Sequence, residues 1–319
     1  MLTLVTGGAG FIGSNLADAL LERGHEVRIL DDLSTGRAEN LPGDATFFEG
    51  TITDVELLDQ AVDGAEVVFH QAALGSVARS VQAPLMSDEV NTHGTLAVLD
   101  AAHRHGVRRV VQASSSSIYG GADQRPTPES APLVPRSPYA VTKMVGEHYA
   151  RVYAELFGLE TVALRYFNVY GPRQRPDSEY AAVIPRFIAD LRAGRPPEVH
   201  GDGGQSRDFA FIDDVVAANL AAAEAPAAAV SGKAFNIAGG SERSLLEMLD
   251  ILREVLGVDT PAVHVDPRAG DVRHSSADLS AAAAAFGYRP AVDFREGLTR
   301  TVDHVSAAEA DGVAAAGPS

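Results

Sequence analysis

Three glycines at fixed spacing constrain this chain more than any other feature. The run Thr6-Gly7-Gly8-Ala9-Gly10-Phe11-Ile12-Gly13 joins an apolar, β-prone stretch, Leu2–Thr6, to a segment with helical spacing. That segment places Phe11, Ile12, Leu16, Leu20 and Leu21 on one face and stops near Gly24. Glycines at 7, 10 and 13 let backbone N–H groups approach an anion without Cβ obstruction, at a helix N-terminus whose dipole favours negative charge. Gly13 permits close packing of helix on strand. Asp31 and Asp32 follow the next strand-like run, Val27–Leu30, which places a carboxylate where the ribose of a bound dinucleotide would lie. A 2′-phosphate is repelled by that carboxylate, so NAD is favoured over NADP.

The same alternation continues. Ala45–Phe48, Val67–His70, Arg109–Ala113 and Thr161–Tyr166 read as strands, and Val55–Val62, Asn91–His105 and Tyr139–Phe157 as helices. Strands separated by helices of this length predict an α/β fold, a Rossmann-type doubly wound parallel sheet. After Asn168, Pro, Gly and Arg cluster in 171–177 and 194–204, as in loops over a cleft. The expected division is a dinucleotide-binding domain, residues 1–167 with 209–238, and a smaller, loop-rich C-terminal substrate lobe, residues 168–208 with 239–305. Residues 306–319 lack periodicity and are expected to be a disordered tail.

Composition narrows the function. The 319 residues are 45% apolar and 22% charged, an ordinary globular balance. The net charge of −17 argues against nucleic acid and anionic membrane surfaces as partners. No apolar run approaches the ~18 residues of a membrane span. The N-terminus lacks the basic start and cleavage site of a secretory signal, and a cytoplasmic location is expected. Cysteine is absent, which removes disulfides, thiolate metal sites and cysteine nucleophiles; no metal site is expected. Only Lys143 and Lys233 are lysines, against 24 arginines, so each lysine position carries information.

Lys143 falls four residues after Tyr139, on one helical face, with Pro138 at the helix start. A neighbouring ammonium and an oxidised nicotinamide would both favour phenolate, lowering Tyr139 below its usual ~10 and making it a base toward a sugar hydroxyl. Ala113-Ser114-Ser115-Ser116-Ser117-Ile118-Tyr119-Gly120 stands at the carboxyl end of an expected strand, where doubly wound sheets bind ligands. A serine hydroxyl there can relay a proton to Tyr139.

The glycine triad, Asp31, the serine run, Tyr139-xxx-Lys143 and Arg165-Tyr166-Phe167-Asn168 together resemble the extended short-chain dehydrogenase/reductases. Within them, the resemblance is to the UDP-sugar 4-epimerases of the NAD-dependent epimerase/dehydratase family, from Leu2 to about Val305. The resemblance implies Tyr139 as base, Lys143 as ligand of the nicotinamide ribose and Ser115 as proton relay. It places Gly7, Gly10, Phe11, Ile12, Gly13, Asp31, Ile52, Ala72, Asn91, Tyr139, Lys143 and Tyr166 around NAD. It assigns Ser115, Ser116, Ser117, Tyr139, Asn168, Arg175, Arg207, Arg268, Asp271 and Ser275 to the UDP-sugar. Arg207 and Arg268 would clamp the diphosphate, where guanidinium forks match phosphate oxygens, and Asp271 would hold a nucleotide ribose. One departure stands out: Gly50-Thr51-Ile52 lacks the Asp that the family often places after Gly50 to contact adenine.

Related dehydratases carry an Asp-Glu pair, and related decarboxylases a Glu, where this chain has Ser116 and Ser117. Both chemistries are therefore demoted in favour of reversible oxidation at C4 through a 4-keto sugar. Ser275 stands at the family's gatekeeper position, where a small residue leaves room for a 2-N-acetyl group. This implies UDP-GlcNAc/UDP-GalNAc, with UDP-Glc/UDP-Gal also possible. Gln174-Arg175-Pro176-Asp177 instead resembles UDP-glucuronate 4-epimerases, in which such an arginine meets the C6 carboxylate. A non-catalytic NAD-binding protein is a further alternative, disfavoured because both Tyr139 and Lys143 are present. The family also implies a homodimer, through Ala97–His105 and the Tyr139–Phe157 helix.

Overall fold

Seven parallel strands form the central sheet: β1 (Leu2–Thr6), β2 (Glu26–Asp31), β3 (Thr46–Glu49), β4 (Val67–His70), β5 (Arg109–Ser115), β6 (Glu160–Tyr166) and β7 (Lys233–Ile237). The order is β7-β6-β5-β4-β1-β2-β3. The strand order reverses between β4 and β1, and the crevice at the carboxyl ends there is where such sheets bind ligands. This computed structural model describes residues 1–175, 182–267 and 272–315, with side chains to residue 307. The doubly wound parallel sheet inferred from the sequence is present.

Parallel strands covered on both faces are apolar throughout. Val67, Val68 and Phe69 of β4 are fully buried, as are Leu4 and Val5 of β1. Each such side chain contributes roughly 1.5–3 kcal/mol relative to exposure. Helix α1 (Phe11–Glu22) buries Leu16, Ala17 and Leu20 on the sheet. Helices α2 (Val55–Val62), α3 (Gly94–Arg104) and α4 (Pro138–Phe157) follow, with α2 and α3 covering the opposite core. Ser137 caps α4 by accepting from Ala140 N–H at 3.1 Å, Pro138 occupies its first turn, and Gly158 ends it in the left-handed region. Arg109 is fully buried at the start of β5. Its Nη1 donates to the carbonyls of Ala222, Ala223 and Ala225 at the end of the Ile212–Glu224 helix, and Glu160 neutralises it.

Beyond β6 the strands shorten. Ser206–Asp208 pairs with Glu242–Ser244 on one side and His274–Ser275 on the other. The helices Val183–Arg192 and Leu245–Leu256 contribute to the same continuous apolar core as α1 and the sheet.

Three local expectations differ. Asn91 does not open an α-helix; it lies in a π-helical turn, Glu89–His93, from which α3 continues. The expected disordered tail is not seen in residues 306–315, through which the last helix, Phe294–Ala315, runs; residues 316–319 lie outside the described residues. Alanine there supplies helix propensity without an apolar stripe, so periodicity gave no sign of it. Lys233, for which the sequence suggested no role, donates to the carbonyls of Ala228 and Ala229 beside the short helix Ala227–Val230. A lysine at a helix C-terminus satisfies orphan carbonyls.

Candidate active site

A cleft of about 550 Å³ opens at the carboxyl ends of β1 and β2. Gly7, Gly10, Phe11, Ile12, Gly13, Asp31, Ile52 and Ala72 all line it, as expected from the sequence. The glycines are required by close contacts. A Cβ on Gly13 would stand 2.2 Å from the Gly7 carbonyl oxygen, and one on Gly7, at φ +71°, 2.6 Å from Ala72 N. Asp31 does more than await a ribose: its two oxygens accept from Ala9 N–H at 2.9 Å and Leu33 N–H at 2.8 Å. Burial pushes its carboxyl up, against those two bonds. Each oxygen keeps a second lone pair, so the same carboxylate can shape the loop and still accept from a hydroxyl. Thr51 stands on the wall where the family often has an aspartate.

Behind the cleft runs a buried polar relay. Ala72 N–H donates to Thr6 Oγ1 at 3.3 Å, and His70 Nδ1 lies 2.8 Å from the same hydroxyl. His70 Nε2 is 2.9 Å from Thr95 Oγ1, which donates to the Asn91 carbonyl at 2.6 Å. With its proton spent on Asn91, Thr95 accepts from Nε2–H, and Nδ1 accepts from Thr6. His70 is therefore neutral; burial, aided by the Lys143 charge, pushes it down to about 3.

Two further expected cofactor residues, Asn91 and Tyr166, are not among the residues lining the cleft. The buried Asn91 side chain accepts from Leu74 N–H at 2.8 Å and donates to Leu74 O and Thr142 Oγ1. It ties the cleft wall to α4. Tyr166 Oη exchanges hydrogen bonds with Gln71 and Asn219, and it is Gln71 that lines the cleft. The family resemblance places both residues near the cofactor but does not distinguish a ligand from the group that holds one.

On α4, Tyr139, Lys143 and Glu147 recur every four residues along one face. Lys143 is 9% exposed; its Nζ donates to the Ala113 carbonyl at 2.9 Å and lies 6.0 Å from the Tyr139 ring centre. Burial pushes the ammonium down to about 8, with Glu147 pulling the other way. Glu147, which the sequence reading missed, is held by Arg165 at 2.7 Å and accepts from Ser114 Oγ at 2.5 Å. Its signal was the third place on the Tyr139/Lys143 stripe. Tyr139 itself departs from expectation. Burial raises its phenol, opposed by a hydrogen bond with Ser115. One of the three Lys143 ammonium N–H groups is directed at the Ala113 carbonyl.

Ser115 Oγ accepts from Ser117 N–H at 3.2 Å and caps the 3-10 turn Ser116–Tyr119. Gly120 ends that turn at φ +64°, where a Cβ would lie 1.9 Å from the Val134 carbonyl. Ser117 Oγ is buried and has no hydrogen-bond partner among the described residues, as fits a group that awaits a ligand.

Across the cleft, Arg207 and Ser275 are direct strand partners, and Arg243 opposes Arg207 on its other side. Asn168, at φ +34°, donates to the Asp208 carbonyl at 3.2 Å and so joins the exit of β6 to the arginine strand. Arg268 and Asp271 lie outside the described residues. Arg175 is placed differently from expectation. It lines the dinucleotide cleft with Asp32, Ser34 and Thr35, and its Nη1 donates to the Thr35 carbonyl at 3.3 Å. The backbone turn at Gly171–Arg175 carries it there, which residue spacing could not show.

A glycine-lined crevice at the strand switch point, beside a tyrosine–lysine pair at the end of β5, defines a dinucleotide-dependent enzyme of the short-chain dehydrogenase/reductase type. The chain belongs to the NAD-dependent epimerase/dehydratase family, whose model matches residues 3–238. It is 42% identical over 311 residues to a UDP-glucose 4-epimerase of Mycolicibacterium smegmatis, covering 95% of this chain and 98% of that one. A Thermotoga maritima UDP-glucose 4-epimerase solved with UDP-glucose superposes with a TM-score of 0.93 at 38% identity, covering 97% and 100% of the two chains. A UDP-N-acetylglucosamine 4-epimerase of Methanobrevibacter ruminantium, in complex with UDP-N-acetylmuramic acid, gives 0.92 at 38% identity over 96% and 98%. Dehydratases and a UDP-glucuronic acid 4-epimerase are also among the relatives. The cofactor is NAD, and similar structures are solved with NAD bound. Among the described residues no helix is long and apolar enough to cross a membrane.

Proposed function

We propose that this enzyme catalyses reversible C4 epimerisation of a UDP-hexose, with UDP-GlcNAc and UDP-GalNAc as the preferred pair and UDP-Glc and UDP-Gal also accepted. The observation that carries this reading is the loop after β5. Tyr139 is paired with Ser115, while Ser116 and Ser117 supply hydroxyls and no carboxylate. A base can take the proton from O4, but no acid stands in that loop to expel a C6 hydroxyl.

NAD, when bound, accepts a hydride from C4 and returns it. Gly7, Gly10 and Gly13 admit its pyrophosphate, Asp31 its adenosine ribose and Lys143 its nicotinamide ribose. Tyr139 removes the O4 proton, with Ser115 as relay, and returns it after the 4-keto sugar has turned over. Deprotonation of Lys143 at high pH would remove an ammonium beside Tyr139. Arg207 holds the diphosphate, with Arg268, Asp271 and Asn168 as further substrate contacts. Ser275, strand-paired with Arg207, leaves space for the 2-N-acetyl group.

The hexuronate reading is weaker because Arg175 bonds Thr35 on the cofactor side. We also propose a homodimer through α3 and α4, supported by the exposed Val141, Val152, Leu156 and Phe157 on α4.

The test is product analysis by NMR with a panel of UDP-sugars. Interconversion of UDP-GlcNAc and UDP-GalNAc is expected. Faster turnover of UDP-glucuronate, or a dehydrated product, would overturn the assignment.

A further inference from the structure

The segment Gly171–Arg175 crosses the mouth of the dinucleotide cleft and is tied down on both sides. Toward α1, Asn15 Nδ2 donates to the Pro172 carbonyl at 3.3 Å, and Arg173 Nη2 pairs with Asp18 Oδ2 at 2.6 Å. Toward the loop after β2, Arg175 Nη1 donates to the Thr35 carbonyl at 3.3 Å. Within the segment, Gln174 holds its own turn through Val169 O and Gly171 O. Arg173 and Arg175 both line the cleft.

Arg173 is an unexpected residue for this backbone. Its φ is +71°, a region that favours glycine. A large cationic side chain kept at such a position points to a use for the side chain. The pair is only partly exposed, 26% for Arg173 and 35% for Asp18, and Nη1 of the same guanidinium is buried without a hydrogen-bond partner. The ion pair therefore joins α1, whose N-terminus faces the cofactor, to the segment that spans the opening.

We propose that Arg173 and Asp18 are positioning residues that latch this strap over NAD and so slow its release. This rests on NAD as the cofactor. The proposed reaction gives the latch a purpose: hydride returns to the sugar in each cycle, so the cofactor has no need to leave. Neither residue touches the reacting atoms; both act through the strap.

The test measures NAD release from purified enzyme, by denaturing samples after gel filtration and counting NAD per chain. Arg173→Gly removes the guanidinium while suiting the backbone, so the fold is retained. Release about tenfold faster is expected. Arg173→Lys should restore much of the retention, and so should the charge exchange Asp18→Arg with Arg173→Asp. In the unaltered enzyme, release should quicken with salt, because a partly exposed ion pair is screened. Release from Arg173→Gly at the original rate, or an exchange no better than the single changes, overturns the latch. Wild-type enzyme that retains NAD in the same experiment keeps the cofactor assignment standing in either event.

Discussion

The cofactor half and the substrate half of the site are finished to different degrees. Behind the glycine loop, the polar side chains of the relay are already partnered, whereas Arg173 Nη1 at the cleft mouth is not. The relay from Ala72 through Thr6, His70 and Thr95 to Asn91 is closed, and both Asp31 oxygens hold backbone N–H groups. On the substrate side, Ser117 Oγ and Arg243 Nε have no hydrogen-bond partner among the described residues, and the strands there are two or three residues long. A satisfied buried network is rigid, whereas open donors wait for a ligand to complete them. The contrast suits a reaction in which the cofactor stays and the sugar must turn and leave.

Four changes probe that contrast, and the largest effect falls where the halves meet. Tyr139→Phe keeps the ring and deletes the base. Activity should fall by about 10³-fold with NAD content unchanged, since positioned proton transfer is worth 10²–10⁴-fold. Full epimerase rates in that variant would sink the mechanism. Next, Gly13→Ala places a Cβ 2.2 Å from backbone oxygen in the finished half. That contact cannot relax by a rotamer change, so titration should show NAD affinity reduced by about 100-fold (about 2.7 kcal/mol). An unaltered affinity would mean that the loop is softer than its bonds suggest.

Ser275→Tyr tests the open half. It should lower the preference for UDP-GlcNAc over UDP-Glc by about 10- to 100-fold in kcat/KM, the range a shape change in a pocket provides. An equal loss with both sugars would show that Ser275 faces elsewhere.

Lys143→Met gives the smallest shift and links stability to function. The folded value of about 8 lies below the ~10.4 of a free lysine. Between those values the unfolded chain holds more protons, so stability rises with pH; below pH 8 the full penalty is present. The inactive Met variant should therefore melt a few degrees higher than the NAD-free parent at pH 7, by about 2–4 °C per kcal/mol relieved. The difference should shrink toward pH 10. A lower melting temperature at both pH values would contradict the burial cost.

The legible part of the molecule was whatever depends on local order. Glycine spacing and the alternation of strand and helix gave the parallel sheet and, on the cleft wall, Gly7, Gly10, Gly13 and Asp31, while the family resemblance added Phe11, Ile12, Ile52 and Ala72. Residues whose roles depend on a second layer were less legible. Asn91 and Tyr166 sit near the cofactor in sequence terms, but their side chains are occupied by Leu74, Thr142, Gln71 and Asn219. Arg175 was misplaced because a left-handed residue two positions earlier redirects the chain. Tyr139 was expected to be acidified by Lys143 and an oxidised nicotinamide together; in the protein alone burial is the largest influence on its phenol. Thr35, Asn40 and Arg79, also on the cleft wall, carry no motif that would have singled them out.

The lysine inventory has one more consequence. An amine-reactive reagent meets the exposed side chain of Lys233 in the folded chain, while Lys143 is shielded. The count of acylated lysines is thus a readout of site integrity by mass alone. A chain modified at Lys233 alone has kept helix α4 closed over Lys143, and a chain modified at both lysines has opened it.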